Sequence, residues 1–392
     1  MNTPLTNAEW PRRNGLIALT AALGADNIRW VGGAVRDTLL GAEVHDVDCA
    51  TLHTPDKVID LCREAGIRTV PTGIDHGTVT AVLDDGPVEI TTLRRDVATD
   101  GRRATVAFAS DWREDAARRD FTINALYAHP QTLEISDYFG GLDDLDDRRV
   151  RFIGDARERI AEDHLRIMRY YRFQARLGAD LDQEAEEACS ELSATLKGLS
   201  RERVADELLR LLALPDPGAT VERMFARGVL PVILPETCNN HISALAALIE
   251  REREQGFAPE PVRRLAALLP PSPDIAETVA ARLRLSKATR ARLVSAAERL
   301  AEDSANPHAL AYRISVDFAR DRLLLLGHDA RPLNNWEPPV FPLKGGAIVA
   351  RGVAAGPDVA RILQSIEKRW VNEGFPDEAR VQELLDEALL QS

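Results

Sequence analysis

The first third of the chain alternates short apolar runs with amphipathic stretches, which predicts a mixture of strands and helices. NIRWVGGAV is an apolar run that stops at two glycines, so we expect a strand and then a helix from about Ala34 to Leu40. DVDCAT is short and alternating, as expected of a strand. GTVTAVLDDGPVEITTLR contains two alternating runs around DDG, which predicts a β-hairpin.

The segments between these strands carry helix and turn signals. TPDKVIDLCREAG has helical spacing, with Thr54 as a candidate N-cap, Pro55 at the first position and Gly66 at the end. DVATDGRRATVAF is polar and contains glycine, so we expect a loop. DWREDAARRDFTINALYAH predicts a helix leading into a strand, and EISDYFGGLDDLDDRRVRFIG predicts a strand, a turn and a linker.

After Asp155 the pattern changes to helical spacing of Ala, Leu, Arg and Glu, interrupted only by proline clusters. Strand signals nearly vanish there. We therefore predict an α+β protein, with a head of about 145 residues that carries a small mixed sheet, followed by an all-helical remainder.

Composition favours a globular protein, since 45% of the 392 residues are hydrophobic and 28% are charged. The net charge of −13 argues by itself against nucleic-acid binding. The segment 148–176 differs, because it holds nine arginines against four acids. The four cysteines form no C-x-x-C pair, which argues against a zinc knuckle or a disulfide framework. No segment resembles a signal peptide or a membrane span, so we expect a cytoplasmic protein and no membrane partner.

The spacing of Asp46 and Asp48 is the first candidate for chemistry. In a strand their carboxylates share one face, with Val47 turned the other way, and such a pair repels itself unless a cation lies between the two. Glu89, flanked by apolar residues on the second strand of the predicted hairpin, is a candidate third carboxylate. Two metal-bound carboxylates and a third acid suit nucleotidyl transfer. A lone D-x-D, however, more often lies on an ordinary surface.

The glycine pair Gly32 and Gly33 suits phosphate binding. A glycine turn lets backbone N–H groups approach a phosphate, and the helix behind it directs its positive dipole end there. Arg36 lies one turn into that helix. A glycine pair alone usually marks only a turn, but the ordered set G-G-x-x-R-D, D-x-D and an isolated strand acid is far more specific.

Four motifs resemble one known family. VGGAVRD with DVDCAT, RRDFTINALY, DYFGGLDDL and EDHLRIMRYYRF occur in the order and spacing of class II tRNA nucleotidyltransferases, the CCA-adding enzymes of the polymerase-beta-like superfamily. The resemblance is close over residues 28–178 and weakens afterwards, where only LSRERVADELLRLL is similar. Bacterial poly(A) polymerases share the same head.

The resemblance implies roles for the matching residues. Asp46 and Asp48 correspond to the pair that binds Mg²⁺, and Gly33 and Arg36 to triphosphate contacts. The matching residues of RRDFTIN hold ribose and phosphates: Arg119, Asp120 and Asn124. It also implies three parts, a polymerase-beta-like nucleotidyltransferase head (1–145), a helical neck (146–212) and a helical body and tail that binds tRNA (213–392).

EDHLRIMRYYRFQAR predicts one helix with Glu162, Arg166 and Arg169 on a single face and Asp163 at its edge. Alone, such a stripe is usually a salt-bridged surface. In the family this helix reads the incoming base. Ionised Asp163 only accepts hydrogen bonds and Arg166 only donates, which suits the amino group and ring nitrogen of cytosine and adenine and opposes uracil and guanine. Glu162 then holds Arg166, while Arg169 and Arg172 resemble further nucleotide contacts.

The resemblance also bears on which nucleotides are added. In the family, a loop at residues 94–108 is needed for the final A, although a plain surface loop has the same composition. We therefore expect addition of C, C and A to tRNA from CTP and ATP, with Mg²⁺.

Several rivals stay open on the sequence alone: a poly(A) polymerase, a partial CC-adding or A-adding enzyme, a small-molecule nucleotidyltransferase, and an RNA-binding protein without chemistry. The dipeptide in GHDA (327–330) lacks the other ligands of a phosphohydrolase HD site. The sequence does not indicate an oligomeric state.

Overall fold

The computed structural model describes residues 4–44, 46–74, 77–100, 103–109, 111–178 and 182–390; for 95–100 and 103–107 it describes the backbone alone. The chain divides into two compact units. One comprises residues 1–211 and 223–233, and the other comprises residues 212–222 and 234–392.

A seven-stranded mixed sheet forms the centre of the first unit. Its strands, with the two strands of a separate ribbon, are β1 (Ile28–Val31), β2 (Val47–Thr51), β3 (Arg68–Gly73), β4 (Thr78–Leu83), β5 (Gly86–Thr92), β6 (Arg94–Asp100), β7 (Arg103–Phe108), β8 (Leu126–Ala128) and β9 (Ile135–Asp137). The order across the sheet is β3-β4-β5-β2-β1-β8-β9. Only β2 and β5 run parallel among the strand pairs of the described residues.

The parallel pairing of β2 and β5 places the candidate acids side by side. Its register sets Asp48 opposite Glu89, with Val47 opposite Val88 and Cys49 opposite Ile90. The apolar members of these pairs are buried, so the alternation of each strand directs its acid to the other face. The predicted strand at DVDCAT, the hairpin and the mixed-sheet fold class are confirmed.

In the head, one sequence-based prediction was wrong and one strand was missed. The segment predicted as a loop forms an antiparallel two-stranded ribbon, β6 and β7, with an irregularity between Asp96 and Ala98. In addition, the edge strand β3 was not predicted; its side chains are mostly exposed, and it lacks an apolar alternation.

Helices cover both the head and the remainder. Their bounds are α1 (Pro4–Asn7), α2 (Asn14–Leu23), α3 (Gly33–Leu39), α4 (Pro55–Glu64), α5 (Trp112–Ala117), α6 (Gly141–Asp146), α7 (Ala156–Glu162), α8 (Arg166–Leu177), α9 (Gln183–Glu191), α10 (Arg201–Leu212), α11 (Gly218–Ala226), α12 (Leu230–Ile233), α13 (Asn239–Gln255), α14 (Pro261–Ala267), α15 (Pro273–Arg282), α16 (Lys287–Ala297), α17 (Pro307–Ile314), α18 (Val316–Leu326), α19 (Gly345–Ala350), α20 (Pro357–Asn372) and α21 (Glu378–Leu390). Thr54 takes the N-cap position of α4, but its side chain makes no capping hydrogen bond.

The single helix predicted over EDHLRIMRYYRFQAR is two helices. α7 ends at Glu162, Asp163 is extended with φ −149° and ψ 103°, and α8 begins at Arg166. Asp163 accepts the backbone N–H of Leu165 at 3.1 Å, a local bond that competes with helix continuation. α8 then buries Tyr170, Tyr171 and Phe173 and ends at Gly178 in the left-handed region.

The regular elements in the described residues of the second unit are all helices. Its interior includes a charged group in which Arg263 and Arg264 both bond to Glu252, and Arg263 also reaches Asp321. An apolar cluster around Ile366, Trp370 and Leu384 joins its last helices. No helix that the structure describes combines the length and apolar character required to cross a bilayer.

Candidate nucleotide-binding and catalytic site

One cleft of about 570 Å³ in the first unit gathers most of the predicted site residues. Eight arginines and five aspartates line it, which gives a local excess of positive charge in an acidic protein. The lining residues are Gly32, Gly33, Arg36, Asp37, Asp46, Asp48, Arg118, Arg119, Asp120, Asn124, Asp163, Arg166, Arg169, Arg172, Phe173, Arg176 and Arg210. Glu89 and Glu162 lie beside the cleft without lining it.

The glycine turn lies between strand β1 and helix α3. Gly32 has φ +67° and ψ −123°, a conformation that side chains disfavour. A Cβ here would meet the Arg119 Nη1 atom at 3.7 Å and the Asp48 Oδ2 atom at 3.8 Å. The turn thus brings the glycine backbone, a guanidinium and a carboxylate close together.

The carboxylates at this end repel one another. Asp48 is largely buried, and burial together with the carboxylates of Glu89 and Asp46 raises its pKa, against the opposing charges of Arg119 and Arg36. Asp46 is exposed and precedes the first residue of β2. Among the described residues, no group of three or more acid, histidine or cysteine side chains is arranged to hold a metal ion. Two aspartates nevertheless fit Mg²⁺, which usually takes one or two protein carboxylates and completes its shell with substrate phosphates and water.

Arg36 is buried and held in a fixed orientation. It donates to Asp37 at 2.9 Å and to the side-chain oxygen of Asn124 at 2.5 Å. Burial lowers the pKa of Arg36 despite the neighbouring carboxylate of Asp37. The guanidinium is therefore positioned before any ligand binds, with its remaining donors available to the cleft.

Asp120 links the head to helix α8. Its Oδ1 atom accepts from the amide of Asn124 at 3.0 Å, and its Oδ2 atom accepts from Arg169 at 2.6–2.7 Å. Burial acts to raise the pKa of Asp120, but Arg169 and Asn124 outweigh it and hold that pKa below its ordinary value. Asp120 is therefore an acceptor on two sides.

Arg118 and Arg119 share one buried carboxylate. Asp115 accepts from Arg118 at 2.7–2.8 Å and from Arg119 at 3.2 Å. Tyr127 donates to Asp115 at 2.7 Å and accepts from Arg119 at 2.8 Å. Both guanidiniums are thus fixed on the cleft wall by groups behind them.

The other end of the cleft carries Asp163 and Arg166. Glu162 bonds to Arg166 at 2.6 Å and to Arg159 at 2.6 Å, so the expected Glu162–Arg166 pairing is present although the helix is interrupted between them. Arg166 also donates to the carbonyl oxygens of Arg159 and Arg118. The second oxygen of Asp163 accepts from Arg203 at 2.8 Å.

Arg169 has two carboxylate partners. It pairs with Asp120, and more weakly with Glu207 at 3.6 Å. Arg172 donates to the same Glu207 at 2.6 Å. Because α7 and α8 are separate helices, the single continuous face predicted for Glu162, Arg166 and Arg169 is not formed.

Several residues of the site were missed in the sequence. Phe173 lies under three guanidiniums, with Arg36 at 4.9 Å, Arg169 at 5.6 Å and Arg172 at 4.5 Å from its ring centre. Arg176 bonds to Asp37 at 2.9 Å. Their spacing of one turn along α8 was available as a signal. Arg203, Glu207 and Arg210 on α10 share a face in LSRERVADELLRLL, but nothing local to that segment indicates a cleft.

The DYFGGLDDL motif supports the site from behind. A Cβ on Gly141 would lie 2.3 Å from the carbonyl oxygen of Thr122, so only glycine fits. Fully buried Asp144 accepts from the Thr122 hydroxyl at 2.6 Å and pairs with Arg149 and Arg151. Because Thr122 begins the short 3₁₀ turn that carries Asn124, this packing fixes one wall of the cleft.

Comparisons with known proteins agree with this geometry. The model of the family described as "Poly A polymerase head domain" matches residues 28–151, and that described as "Probable RNA and SrmB- binding site of polymerase A" matches residues 178–240. The chain is 35% identical to the CCA tRNA nucleotidyltransferase 1, mitochondrial, of Mus musculus, over 92% of this chain and 87% of that protein.

Solved structures share the fold. The CCA-adding enzyme of Bacillus stearothermophilus in complex with CTP superposes with a TM-score of 0.75 at 24% identity, covering 100% of this chain and 99% of that one. A tRNA nucleotidyltransferase complexed with a primer tRNA and an incoming ATP analogue gives a TM-score of 0.65 at 24% identity, covering 79% and 93%. The chain belongs to the class II tRNA nucleotidyltransferases, the CCA-adding enzymes.

Proposed function

We propose that this protein adds C, C and A to the 3′ end of tRNA from CTP and ATP, without a nucleic-acid template and with release of pyrophosphate. One observation carries the proposal. A single cleft holds the glycine turn, the D-x-D aspartates, the RRDFTIN side chains and the Asp163–Arg166 pair. The relatives' names and the bound CTP, ATP analogue and tRNA of the solved structures support the same substrates.

Asp46 and Asp48 are the proposed Mg²⁺ ligands, and Glu89 is the third acid beside them in the sheet. When bound, Mg²⁺ lowers the pKa of the attacking hydroxyl and neutralises the pyrophosphate. Burial, and then the repulsion of Glu89 and Asp46, raises the pKa of Asp48, and this repulsion supports a cation beside these carboxylates.

The phosphates and ribose occupy the middle of the cleft in this proposal. Gly32 and Gly33 allow close backbone approach, while Arg36 and Arg119 bind the triphosphate. Asp120 and Asn124 orient the ribose. The tRNA 3′-hydroxyl then attacks the α-phosphate in line with the departing pyrophosphate, and fixed guanidiniums lower the barrier because they need little reorganisation.

Base selection rests on Asp163 and Arg166. The carboxylate accepts from the amino group of cytosine or adenine, and the guanidinium donates to the adjacent ring nitrogen. Uracil and guanine would place a carbonyl acceptor against the carboxylate and a ring N–H donor against the guanidinium. Each buried group left unpaired in this way costs about 1–3 kcal/mol. Glu162 fixes Arg166, and Arg169 and Arg172 supply further contacts along α8.

The test supplies labelled CTP and ATP, separately and together, to tRNA without its CCA end and to tRNA ending in CC. Three additions with both nucleotides, and a single A on the CC-ended tRNA, are expected. Long products from ATP alone would identify a poly(A) polymerase, which shares the head. Arrest after CC, or addition of A only, would identify a partial enzyme.

The remaining parts of the proposal concern tRNA and location. The helical body and tail (213–392) grip tRNA through backbone phosphates, so binding weakens as salt increases. Filter binding at several salt concentrations measures this.

A cytoplasmic location also stays a prediction, which microscopy of the tagged protein tests; the Mus musculus relative is mitochondrial by name.

A further inference from the structure

Asp115 lies behind the cleft at the point where three structural elements meet. Its side chain is 1% exposed and accepts from four donors. Two are the cleft arginines Arg118 and Arg119, and the third is the Tyr127 hydroxyl on β8. The fourth is the backbone N–H of Arg94, the first residue of the β6–β7 ribbon, at 3.4 Å.

The base of the ribbon is anchored beside this carboxylate. Leu93 and Ala109 flank the two ribbon strands and are joined by a backbone hydrogen bond of 2.9 Å from Ala109 to Leu93. Both are buried in one apolar cluster with Ala116 of α5 and Tyr127 of β8. The ribbon base, α5 and β8 therefore form one packed group around Asp115.

This group can pass a movement of the ribbon base on to the arginines of the cleft. The Arg119 guanidinium donates to Asp115 and to Tyr127, and Tyr127 in turn donates to Asp115. A carboxylate removed from water cannot exchange a lost donor for solvent. A shift of the ribbon base therefore moves Asp115, and the guanidiniums it holds move with it.

We propose that Asp115 is a positioning residue that couples the β6–β7 ribbon to Arg118 and Arg119, and thereby to nucleotide binding. The inference rests on the proposed nucleotidyl transfer. It adds a route by which the ribbon changes the preference between C and A. Asp115 does not touch substrate; it acts through the two arginines.

A double-mutant cycle tests the coupling. The variants are Asp115→Asn, replacement of residues 97–103 by a Gly-Ser link, and the two combined. C addition and A addition are measured separately in single turnover. Asp115→Asn should raise the KM for CTP and ATP roughly tenfold, as expected for loss of one charged hydrogen bond, with a smaller change in kcat. In the combined variant, A addition should fall no further than in the worse single variant.

Asp144→Asn is the matched control. Asp144 is equally buried and also pairs with two arginines and one hydroxyl, but neither arginine lines the cleft. The loss of A addition in the variant that combines Asp144→Asn with the ribbon replacement should equal the product of the two single losses to within about twofold, as for independent sites. Multiplicative effects for Asp115→Asn as well would overturn the coupling.

A milder variant covers the case in which Asp115→Asn does not fold. Tyr127→Phe removes only the hydroxyl between Arg119 and Asp115, and it should likewise fail to add to the ribbon replacement for A addition. Wild-type activity on the same two tRNAs separates the levels of inference. If the wild type does not add C, C and A, the proposed function itself fails. If the wild type is active but the effects of Tyr127→Phe and the ribbon replacement multiply fully, only the coupling fails.

Discussion

Asn124 accepts a 2.5 Å hydrogen bond from the buried guanidinium of Arg36. The same amide donates to Asp120 at 3.0 Å, so one side chain with both functions joins a cation and an anion. Glutamine is too long for this position, and aspartate has no donor. The amide thereby orders the middle of the proposed nucleotide site.

Asn124→Asp should lower nucleotide addition by about ten- to a hundredfold near neutral pH, the scale of one charged hydrogen bond of about 1.5–3 kcal/mol. The new carboxylate opposes that of Asp120. As pH falls, protonation of one of the two acids restores a donor, so the defect should shrink. A pH series of single-turnover rates measures it, with exposed Asn240→Asp as control. A defect independent of pH would contradict the donor role.

Asp48→Asn should abolish addition while tRNA binding survives, and Asp46→Ala should do the same, because the acids serve chemistry rather than the grip on RNA. Since Asp48 is repelled by Glu89 and Asp46, its neutralisation should also stabilise the ligand-free protein, on the order of 1 kcal/mol or about 2–4 °C in Tm. Exposed Asp84→Asn in the β4–β5 turn is the control. Near-normal turnover in either variant would end the metal assignment.

Magnesium should raise the Tm of the wild type and not that of Asp48→Asn, because a ligand stabilises only the form that binds it. Differential scanning calorimetry with and without the ion measures this without reference to activity.

Replacing residues 97–103 by a short Gly-Ser link should spare C addition and impair A addition. The physical reason is that the ribbon base adjoins the cleft wall through Arg94 and Asp115. Single-turnover assays on tRNA without CCA and on tRNA ending in CC separate the two steps. Equal loss at both steps would indicate a general role in folding.

Asp163→Asn should reduce incorporation of CTP and ATP and lower the CTP:UTP ratio by roughly ten- to a hundredfold, because the amide can donate to a uracil carbonyl where the carboxylate cannot. All four nucleotides are compared on one tRNA. Glu158→Gln, an exposed change on α7, serves as the control. An unchanged ratio would return Asp163 and the arginines of α8 to a purely structural role.

Gly141→Ala should destabilise the head and lower activity, because the added methyl meets the carbonyl oxygen of Thr122, which is backbone and cannot rotate away. We expect a loss of about 1–3 kcal/mol in the free energy of unfolding. The control is Gly198→Ala, where the methyl enters open space. Chemical denaturation measures the free energy of unfolding of both variants. Equal values would show that the backbone at Thr122 shifts to make room for the methyl group with little loss of stability.

The sequence by itself determined most of the local elements and the family of the chain. Alternation predicted β2 and the β4–β5 hairpin, and the order of motifs indicated the family. These features depend on near neighbours in the chain, since periodicity, glycine turns and acid spacing are local properties. Within the site, the pairing of Glu162 with Arg166 was predictable because the two residues are four positions apart.

Only the tertiary structure decided which distant groups meet. The parallel register of β2 and β5 brings Asp48 opposite Glu89, and no local signal specifies that register. The break at Asp163 separates two helices where one was predicted, and Arg169 of the second helix pairs with Asp120 of the head. A buried carboxylate must be hydrogen-bonded because the fold removes it from water, and packing decides which arginines lie close enough to donate to it. Asp115 therefore meets Arg94 through the fold and not through the sequence pattern.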